Sequence, residues 1–282
     1  MKTVELPSGH TMPVLGMGTW RMGENHRRQE AEVTALRRGM SLGLTLIDTA
    51  EMYGEGGAEE VVAEAISSAD RTNLFLVSKV YPHNASSQGV VAACDRSLAR
   101  LGTDYLDLYL LHWRGDVPIA ETMAAFQQLQ AAGKIRDYGV SNFDVDDMTE
   151  AMSVPGGEAI ATNQILYNLS RRGIEIDLLP WCRERNILVM AYSPIEQGRL
   201  LSNSRHSGAL QQIAKEKGVA DAQVAIAWLL HQPGVVVIPK ASKIGHVEQN
   251  YAALDISLSA EELLRLEKAF PKPARPIPLE ML

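Results

Sequence analysis

Four polar residues offer the clearest chemistry in this sequence: Asp48, Tyr53, Lys79 and His112. Three of them come directly after short apolar runs that predict buried strands, at residues 44–47, 74–78 and 106–111. Polar residues that repeatedly end parallel strands converge at one face of a barrel, where such folds hold their active sites. A tyrosine grouped with a lysine, an aspartate and a histidine predicts a phenol that gives up a proton near neutral pH, which suggests reduction of a carbonyl.

The expected proton donor is Tyr53, whose phenol needs help from its neighbours. A free phenol has a pKa of about 10, which is too high for an efficient acid at neutral pH. A nearby ammonium favours the phenolate, so we expect Lys79 to lower the Tyr53 pKa and Asp48 to hold Lys79 in place. We expect His112 to orient a substrate carbonyl or to assist proton delivery.

The pattern along the chain predicts strands that alternate with amphipathic helices. The strand candidates are residues 14–15, 44–47, 74–78, 106–111, 138–140, 159–162, 188–191 and 235–238. The helix candidates are residues 30–42, 58–68, 88–101, 119–132, 145–152, 174–185 and 222–230, with an extra helix near 208–217. Such alternation indicates βαβ units and a parallel sheet. Eight strands spaced by about one βα unit of roughly 30 residues predict a closed (β/α)8 TIM barrel.

Both ends of the chain add to this architecture. Residues 3–13 contain two short runs around a Pro-Ser-Gly turn, which predict a β-hairpin that closes the barrel floor. Ser259 and Glu262 form a capping-box pattern that predicts a final helix to about Phe270. The proline-rich tail, residues 271–282, cannot continue that helix, and we expect it either to cross the barrel mouth or to be mobile. We expect residues 1–282 to form one domain.

A doubly wound open sheet is the structural alternative. Such a sheet usually has a GxGxxG turn after its first strand. Gly16 and Gly18 begin this pattern, but Arg21 stands where the third glycine belongs. We therefore interpret the glycine pair as a tight turn at the end of the first strand, and we favour the closed barrel.

Composition limits the classes of partner. The chain carries 27 Lys+Arg against 34 Asp+Glu, a formal net charge of −7, and it has no basic run. This balance argues against a nucleic-acid or anionic-membrane partner. The cysteines, Cys94 and Cys182, form no CxxC motif. No apolar stretch has the length of a signal-peptide core or a membrane span, so we expect a cytoplasmic protein.

The candidate residues belong to segments that together resemble the aldo-keto reductase superfamily. These segments are residues 48–54, 77–80, 110–113, 133–142 and 238–242. Their order along the chain makes the resemblance highly specific. It implies a TIM barrel that binds NADPH without a Rossmann fold, with Tyr53 as the acid, supported by Lys79 and Asp48, and with His112 in the substrate pocket. Within the superfamily, the chain looks most like the bacterial branch that reduces methylglyoxal and related small aldehydes.

The resemblance also implies cofactor contacts. The matching positions are Ser141, Asn142, Gln164, Tyr192, Ser193, Gly198, Lys240, Ser242, His246 and Asn250. Ser141, Asn142 and Gln164 match a clamp on the nicotinamide carboxamide. Tyr192 matches a ring that stacks on the nicotinamide. Ser193 and Gly198 belong to a loop, residues 193–200, that is similar to the loop covering the pyrophosphate. Lys240 and Ser242 fall where the 2′-phosphate is held, and Asn250 falls near the adenine.

Some positions depart from the family pattern around the 2′-phosphate. Many relatives have arginine where this chain has His246, serine where it has Ala241, and glutamate where it has Gln249. A neutral histidine cannot replace a bidentate guanidinium. Lys240 still supplies a point charge for a phosphate. We therefore expect a preference for NADPH that is weaker than in relatives with that arginine.

Large side chains are expected to form the substrate pocket. They are Trp20, Met52, Tyr81 and Trp113. Apolar surfaces around a polar centre are typical of ligand sites. The tail is short compared with relatives that accept bulky steroids, which favours small aldehydes as substrates.

Two other functions stay open. Some members of the superfamily are non-catalytic NADP(H)-binding modules that sense redox state, and tight NADPH binding without turnover would identify one. A metal-dependent barrel hydrolase is a further alternative that would use Asp48 and His112, but a catalytic zinc site usually needs three protein ligands. The sequence has no histidine pair at HxH or HxxxH spacing, so we expect no metal. The resemblance favours a monomer.

Overall fold

A short β-hairpin opens the chain. In the computed structural model, which describes residues 2–201 and 207–282, β1 (Thr3–Glu5) pairs antiparallel with β2 (Thr11–Pro13). Leu6 and Met12 are buried, and both pack against side chains that fill the barrel interior. The hairpin therefore closes the barrel floor, as the sequence predicted.

Eight parallel strands in the described part of the chain form the barrel, in the same spatial order as in the sequence. They are β3 (Gly16–Gly18), β4 (Leu46–Asp48), β5 (Phe75–Val80), β6 (Leu106–Leu111), β7 (Ile135–Ser141), β8 (Ile160–Leu166), β9 (Leu188–Tyr192) and β10 (Val235–Val237). Parallel bridges join the first and last strands, and the Gly18 amide donates to the Pro239 carbonyl at 3.1 Å. These bonds close the sheet, so the predicted (β/α)8 barrel is confirmed.

Helices surround the barrel. They are α1 (His26–Leu42), α2 (Gly57–Ile66), α3 (Ser87–Leu101), α4 (Ile119–Ala131), α5 (Val145–Met152), α6 (Leu178–Glu184), α7 (Ser207–Lys217), α8 (Asp221–Leu230), α9 (Ile244–Ala252) and α10 (Ala260–Ala269). Their burial follows the helical period: in α3, Val90, Cys94, Ser97 and Leu101 are buried because they lie three or four residues apart on one face. The predicted capping box begins α10 and is confirmed.

The first barrel strand differs from the prediction. Residues 14–15 were the expected strand, but β3 is formed by Gly16–Gly18, so the interpretation of the glycine pair as a strand-end turn is wrong. The reason is steric, because a Cβ atom on Gly16 would lie 2.5 Å from Leu46 Cγ. A Cβ atom on Gly18 would lie 3.0 Å from the Ile238 carbonyl oxygen. Glycine therefore lets β3 approach both of its neighbours where the barrel closes.

The predicted helix at residues 174–185 is interrupted. A single 3-10 turn occupies Gly173–Glu175, and α6 begins only at Leu178. Asp177 sets this start because its carboxylate accepts a hydrogen bond from the Leu178 amide at 2.6 Å. Residues 271–282 contain no helix or strand, as expected for the proline-rich tail.

Candidate active site

Side-chain alternation along the strands carries three of the four candidate residues into the barrel. Successive residues of a strand point to opposite faces. In β5, Phe75 and Val77 belong to the interior cluster, whereas Leu76 and Val80 pack on the outer side with the helices. The same alternation directs Lys79 inward. It also directs Asp48 inward two residues after Leu46 in β4, and His112 two residues after Leu110 in β6.

The Lys79 ammonium lies at the centre of a buried hydrogen-bond cluster. It donates to Asp48 Oδ2 at 2.9 Å, to the Thr49 carbonyl at 2.8 Å and to the Tyr53 hydroxyl at 3.1 Å. These bonds use all three donors of the ammonium. Gln164 Nε2 donates to the second Asp48 carboxylate oxygen at 2.8 Å. The cluster therefore fixes the position of the phenol relative to the cation.

The loop after β4 returns Tyr53 over the barrel mouth. Three residues that follow it have left-handed backbone conformations: Gly54 at φ 59°, Glu55 at φ 55° and Gly56 at φ 96°. This reversal sends the chain into α2 while the tyrosine side chain lies against Lys79. The spacing of five residues between Asp48 and Tyr53 thus brings both side chains to the same ammonium.

The pKa values of the buried pair favour a protonated tyrosine. Burial raises the pKa of Tyr53 above its ordinary value of 10, and the attraction of Lys79 offsets only part of that rise. Lys79 thus acts in the predicted direction, but the net shift is upward, so the expected phenol of near-neutral pKa does not occur here. The cause is the loss of hydration of the phenolate. Burial lowers the pKa of Lys79, but Asp48 and Tyr53 raise it by more, so the amine stays charged.

His112 faces Tyr53 across the mouth. The two ring centroids are 5.7 Å apart in an edge-to-face arrangement. Burial, and then the charge of Lys79, lower the pKa of His112 well below 6.5, so the imidazole is neutral at pH 7. Its Nδ1 atom is buried and has no hydrogen-bond partner among the described residues. The site therefore presents a neutral ring opposite a protonated phenol.

The residues that match the nicotinamide clamp lie beside this cluster. Ser141 Oγ donates to the Gln164 carbonyl at 2.9 Å, and Asn142 Nδ2 donates to the His112 carbonyl at 3.2 Å. The Tyr192 hydroxyl donates to Asn142 Oδ1 at 3.0 Å. Because Gln164 also bonds to Asp48, one continuous network joins these positions to the four candidate catalytic residues.

A bulge explains why Gln164 points into the barrel. Val140 pairs with Asn163 although Tyr138 pairs with Ile160, so β8 contains one extra residue at this point. An extra residue reverses the alternation of the side chains that follow it. Asn163 consequently faces the helices, where its side chain bonds to the Phe143 backbone, and Gln164 faces Asp48.

The loop that follows β9 carries a buried hydroxyl without a partner. Ser193 Oγ makes no hydrogen bond within residues 2–201 and 207–282. A buried hydroxyl normally has a partner, so this atom is suited to a ligand oxygen. Glu196 in the same loop is buried and accepts a hydrogen bond from Asn168. Gly198 has φ 88°, which reverses the loop backbone.

The positions that match the 2′-phosphate and adenine sites lie beyond β10. Lys240 Nζ is 3.5 Å from Ser242 Oγ, so these two polar groups are adjacent. The pKa of Lys240 is lowered mainly by partial burial, and the nearby charges of Arg28 and Arg21 lower it further. His246 is exposed on α9, whereas Asn250 on the same helix is buried. The donors Lys240 and Ser242 therefore suit an anion on this side of the mouth.

Aromatic rings form one wall beside His112. Tyr81 lies edge-to-face with Trp113 at 5.8 Å between centroids, and Trp113 lies 4.9 Å from the His112 ring. Trp20 follows Thr19, whose hydroxyl donates to the Asp48 carbonyl. The Arg21 guanidinium lies over the Trp20 ring. Met52 is half-buried in the loop before Tyr53. The structure thus groups Tyr81 and Trp113 with His112 most directly.

The end of the tail lies at the barrel mouth. Glu280 forms an ion pair with Arg171, which lies just after β8. Burial raises the pKa of Tyr192 and the backbone of Leu282 lowers it in part, so the end of the tail lies beside this hydroxyl. Of the two expectations for residues 271–282, contact with the mouth is therefore the one that the structure supports.

Sequence reasoning missed several polar residues that shape the site. Glu51 is buried and accepts hydrogen bonds from the Tyr81 amide and from Asn84 Nδ2, both at 2.9 Å. It therefore holds the Tyr81 segment in place. Arg171 and Asn168 bond to the loop after β9. Glu51 lies in residues 48–54, which belong to the family resemblance, but its hydrogen-bond partners are distant in sequence. Nothing in the sequence around Arg171 indicates its role.

The described residues contain no group of three or more His, Cys, Asp or Glu side chains that could hold a metal ion. None of their helices is both long enough and apolar enough to cross a membrane.

The fold and the site define the class of protein: a (β/α)8 barrel with its polar cluster at the carboxyl ends of the strands. The chain belongs to the Aldo/keto reductase family, which matches residues 14–270. It is 51% identical to methylglyoxal reductase YeaE of Escherichia coli K12, over 100% of this chain and 99% of that protein. It is 35% identical to glyoxal reductase of Bacillus subtilis 168, over 94% of this chain and 91% of that protein.

Solved structures agree with this assignment. An aldo/keto reductase from Klebsiella pneumoniae, crystallised with NADP and acetate, is similar with a TM-score of 0.96 and 51% identity, covering 100% of this chain and 99% of that one. The thermostable aldo-keto reductase Tm1743, in complex with the inhibitor epalrestat, has a TM-score of 0.89 and 39% identity, covering 95% of this chain and 100% of that one.

Proposed function

We propose that this protein reduces methylglyoxal and other small aldehydes to alcohols with NADPH, and that Tyr53 is the general acid. The observation that carries the proposal is the Tyr53 hydroxyl, 3.1 Å from a fully buried ammonium that also bonds to Asp48. The similarity to a methylglyoxal reductase and to a reductase crystallised with NADP supports both the substrate class and the cofactor.

The proton transfer follows from the charges in the cluster. NADPH, when bound, supplies the hydride that reaches the carbonyl carbon. The carbonyl oxygen then gains negative charge, and Tyr53 donates its proton to that oxygen. The remaining phenolate is stabilised by the Lys79 ammonium, which Asp48 keeps oriented and charged. The raised Tyr53 pKa keeps the proton in place until the oxygen becomes basic enough to accept it.

His112 orients the substrate in this proposal. Its neutral imidazole can donate one hydrogen bond to a carbonyl oxygen without competing with Tyr53 for the proton. Tyr81 and Trp113 exclude water on the same side, with Trp20 and Met52 completing the pocket walls. Exclusion of water strengthens the attraction between the developing charge and Lys79.

The cofactor residues are part of the proposal. Ser141, Asn142 and Gln164 hold the carboxamide, and Tyr192 supports the ring face. The unpartnered Ser193 Oγ donates to the pyrophosphate, in the loop that also contains Gly198. The groups for the adenosine half are Lys240, Ser242, His246 and Asn250. Since Lys240 supplies a point charge, whereas His246 lacks the bidentate guanidinium of an arginine, we expect a moderate preference for NADPH over NADH.

We further propose that residues 1–282 form a single domain, that residues 271–282 form its tail, and that the protein is a cytoplasmic monomer. A non-catalytic NADP(H)-binding module is the alternative function. It would bind the cofactor through the same groups but would lack turnover. All four candidate catalytic residues are present, which favours the enzyme.

The experiment is to mix the purified protein with NADPH and methylglyoxal, follow NADPH absorbance, and identify the product. We expect NADPH oxidation with formation of the corresponding alcohol. NADPH binding without oxidation, repeated over a series of small aldehydes, would contradict the reductase and support the binding module. The same assay with NADH measures cofactor preference, and equal or better catalytic efficiency with NADH would contradict the expected preference.

A further inference from the structure

The loop after β9 adopts an uncommon backbone conformation. We call residues 193–200 the cofactor loop. Ser193 has φ 51°, Glu196 has φ 51° and Gln197 has φ 54°, so three non-glycine residues of one short loop are left-handed. Side chains rarely adopt this region because Cβ crowds the following carbonyl. Such a conformation persists only where surrounding contacts hold it, so the loop depends on whatever binds it from outside.

The external contacts come from the turn after β8. Arg171 Nε and Nη2 donate to Glu196 Oε1 at 3.0 and 2.8 Å. Asn168 Nδ2 donates to Glu196 Oε2 at 2.8 Å and to the Ser193 carbonyl at 3.0 Å. Burial raises the pKa of Glu196, but these hydrogen bonds lower it by more, so the carboxylate is charged. Two of the three left-handed residues are therefore held by Arg171 and Asn168.

The same guanidinium also holds the tail. Arg171 Nη1 donates to Glu280, so one side chain joins a carboxylate of the cofactor loop to a carboxylate of the tail. The tail approaches the mouth at a second point, where the backbone of Leu282 lies close enough to the Tyr192 hydroxyl to lower its pKa. A guanidinium can bind two carboxylates at once because its donors form a rigid planar fork.

We propose that Arg171 is a positioning residue for the cofactor loop, and that Glu280 acts on that loop by fixing the orientation of Arg171. The tail thereby influences the rate at which NADPH leaves, through the link that Arg171 makes to the cofactor loop. The inference rests on the proposed role of the cofactor loop in covering the cofactor pyrophosphate.

The direct test is the rate of NADPH release, measured by stopped-flow fluorescence with no aldehyde present. Glu280→Gln keeps the size of the side chain and removes its charge. We expect release to become about 2- to 5-fold faster, since ion pairs that remain partly open to solvent are weak. Glu196→Gln removes the carboxylate on the loop itself, and we expect a larger increase. Glu184→Gln is the matched control, because Glu184 is also paired with an arginine on the surface but lies outside this network.

A double variant separates coupling from a general loosening of the mouth. In an Arg171→Met background, Glu280→Gln should have no further effect on release, because the link is already broken. Arg171→Lys, which retains a charge without the fork, should release NADPH faster than the wild type. We expect kcat/KM for the aldehyde to change less than the release rate, since none of these residues contacts the catalytic cluster.

Each outcome bears on the proposal separately from the proposed function. If Glu196→Gln speeds release and Glu280→Gln does not, the cofactor loop retains its role and the influence of the tail is refuted. If Glu280→Gln is equally effective with and without Arg171, the link through this residue is refuted. If release behaves as expected but no aldehyde is reduced, the coupling stands and the reductase proposal fails.

Discussion

Replacing Lys79 with methionine should separate the two roles of the buried ammonium. The Asp48–Lys79 pair is 2.9 Å long, and the two side chains are 3% and 0% exposed. Removing one partner of such a pair leaves an uncompensated buried charge, which costs about 3–5 kcal/mol. A whole domain is stable by only about 5–15 kcal/mol. We therefore expect Lys79→Met to lower the free energy of unfolding by about 3–5 kcal/mol.

The same substitution should also remove most of the activity. The Tyr53 proton is transferred next to the Lys79 ammonium, and the phenolate that remains depends on that charge. A positioned general acid contributes about 10²- to 10⁴-fold. We expect kcat/KM for methylglyoxal to fall by a factor in this range, measured on protein that circular dichroism shows to be folded.

The double variant Asp48→Asn/Lys79→Met distinguishes chemistry from stability. It removes both charges, and an asparagine oxygen at position 48 can still accept the bond from Gln164. Replacing a buried ion pair with neutral groups is often close to neutral for stability. Urea unfolding should therefore show that most of the lost stability returns, whereas NADPH oxidation should stay low. Recovery of activity along with stability would refute the role of the ammonium in proton transfer.

Three further results are expected. Lys240→Met should raise the KM for NADPH about tenfold and leave that for NADH unchanged, because only NADPH has the phosphate that this charge meets; equal effects on both would refute the assignment. The His112 pKa is lowered on folding, so the unfolded state binds more protons below pH 6.5 and stability falls there. Between about pH 7 and 5.5 the free energy of unfolding, measured with urea, should fall by about 1 kcal/mol from this cause. The His112→Gln variant should not show this decrease. Gly16→Ala should destabilise the fold by about 1–3 kcal/mol in the same assay, since its Cβ would lie 2.5 Å from Leu46 Cγ; unchanged stability would contradict this.

Most of the fold could be predicted from local sequence patterns. The apolar runs before Asp48 and His112 indicate buried strands, and the helical spacing of buried residues in α3 indicates one helix face that packs on the barrel. The first strand was predicted two residues too early, because Gly16 and Gly18 have no side chains that would show the alternation of a strand. Glycine is needed at these two positions because they approach Leu46 and Ile238 closely, and both of those residues are distant in sequence.

The candidate site was predictable only in its residue types. The sequence shows that Lys79 follows an apolar run, but its inward direction became evident only when the structure placed Phe75 and Val77 in the barrel interior. The direction in which the Tyr53 pKa shifts was not predictable, because it depends on whether burial or the neighbouring Lys79 charge has the larger effect. Arg171 escaped notice for a related reason: its partners, Glu196 and Glu280, are 25 and 109 residues away, and only the folded chain brings them together.

The central claim is that Tyr53 gives its proton to the reduced carbonyl. The most direct measurement is a single turnover of enzyme-bound NADPH with methylglyoxal, comparing the wild type with Tyr53→Phe. NADPH affinity, measured by fluorescence quenching, serves as the control, because the substitution removes one hydroxyl and leaves the ring. We predict that affinity stays similar while the hydride-transfer rate falls by about 10²- to 10⁴-fold. An unchanged rate in Tyr53→Phe would contradict the account, even if methylglyoxal is reduced.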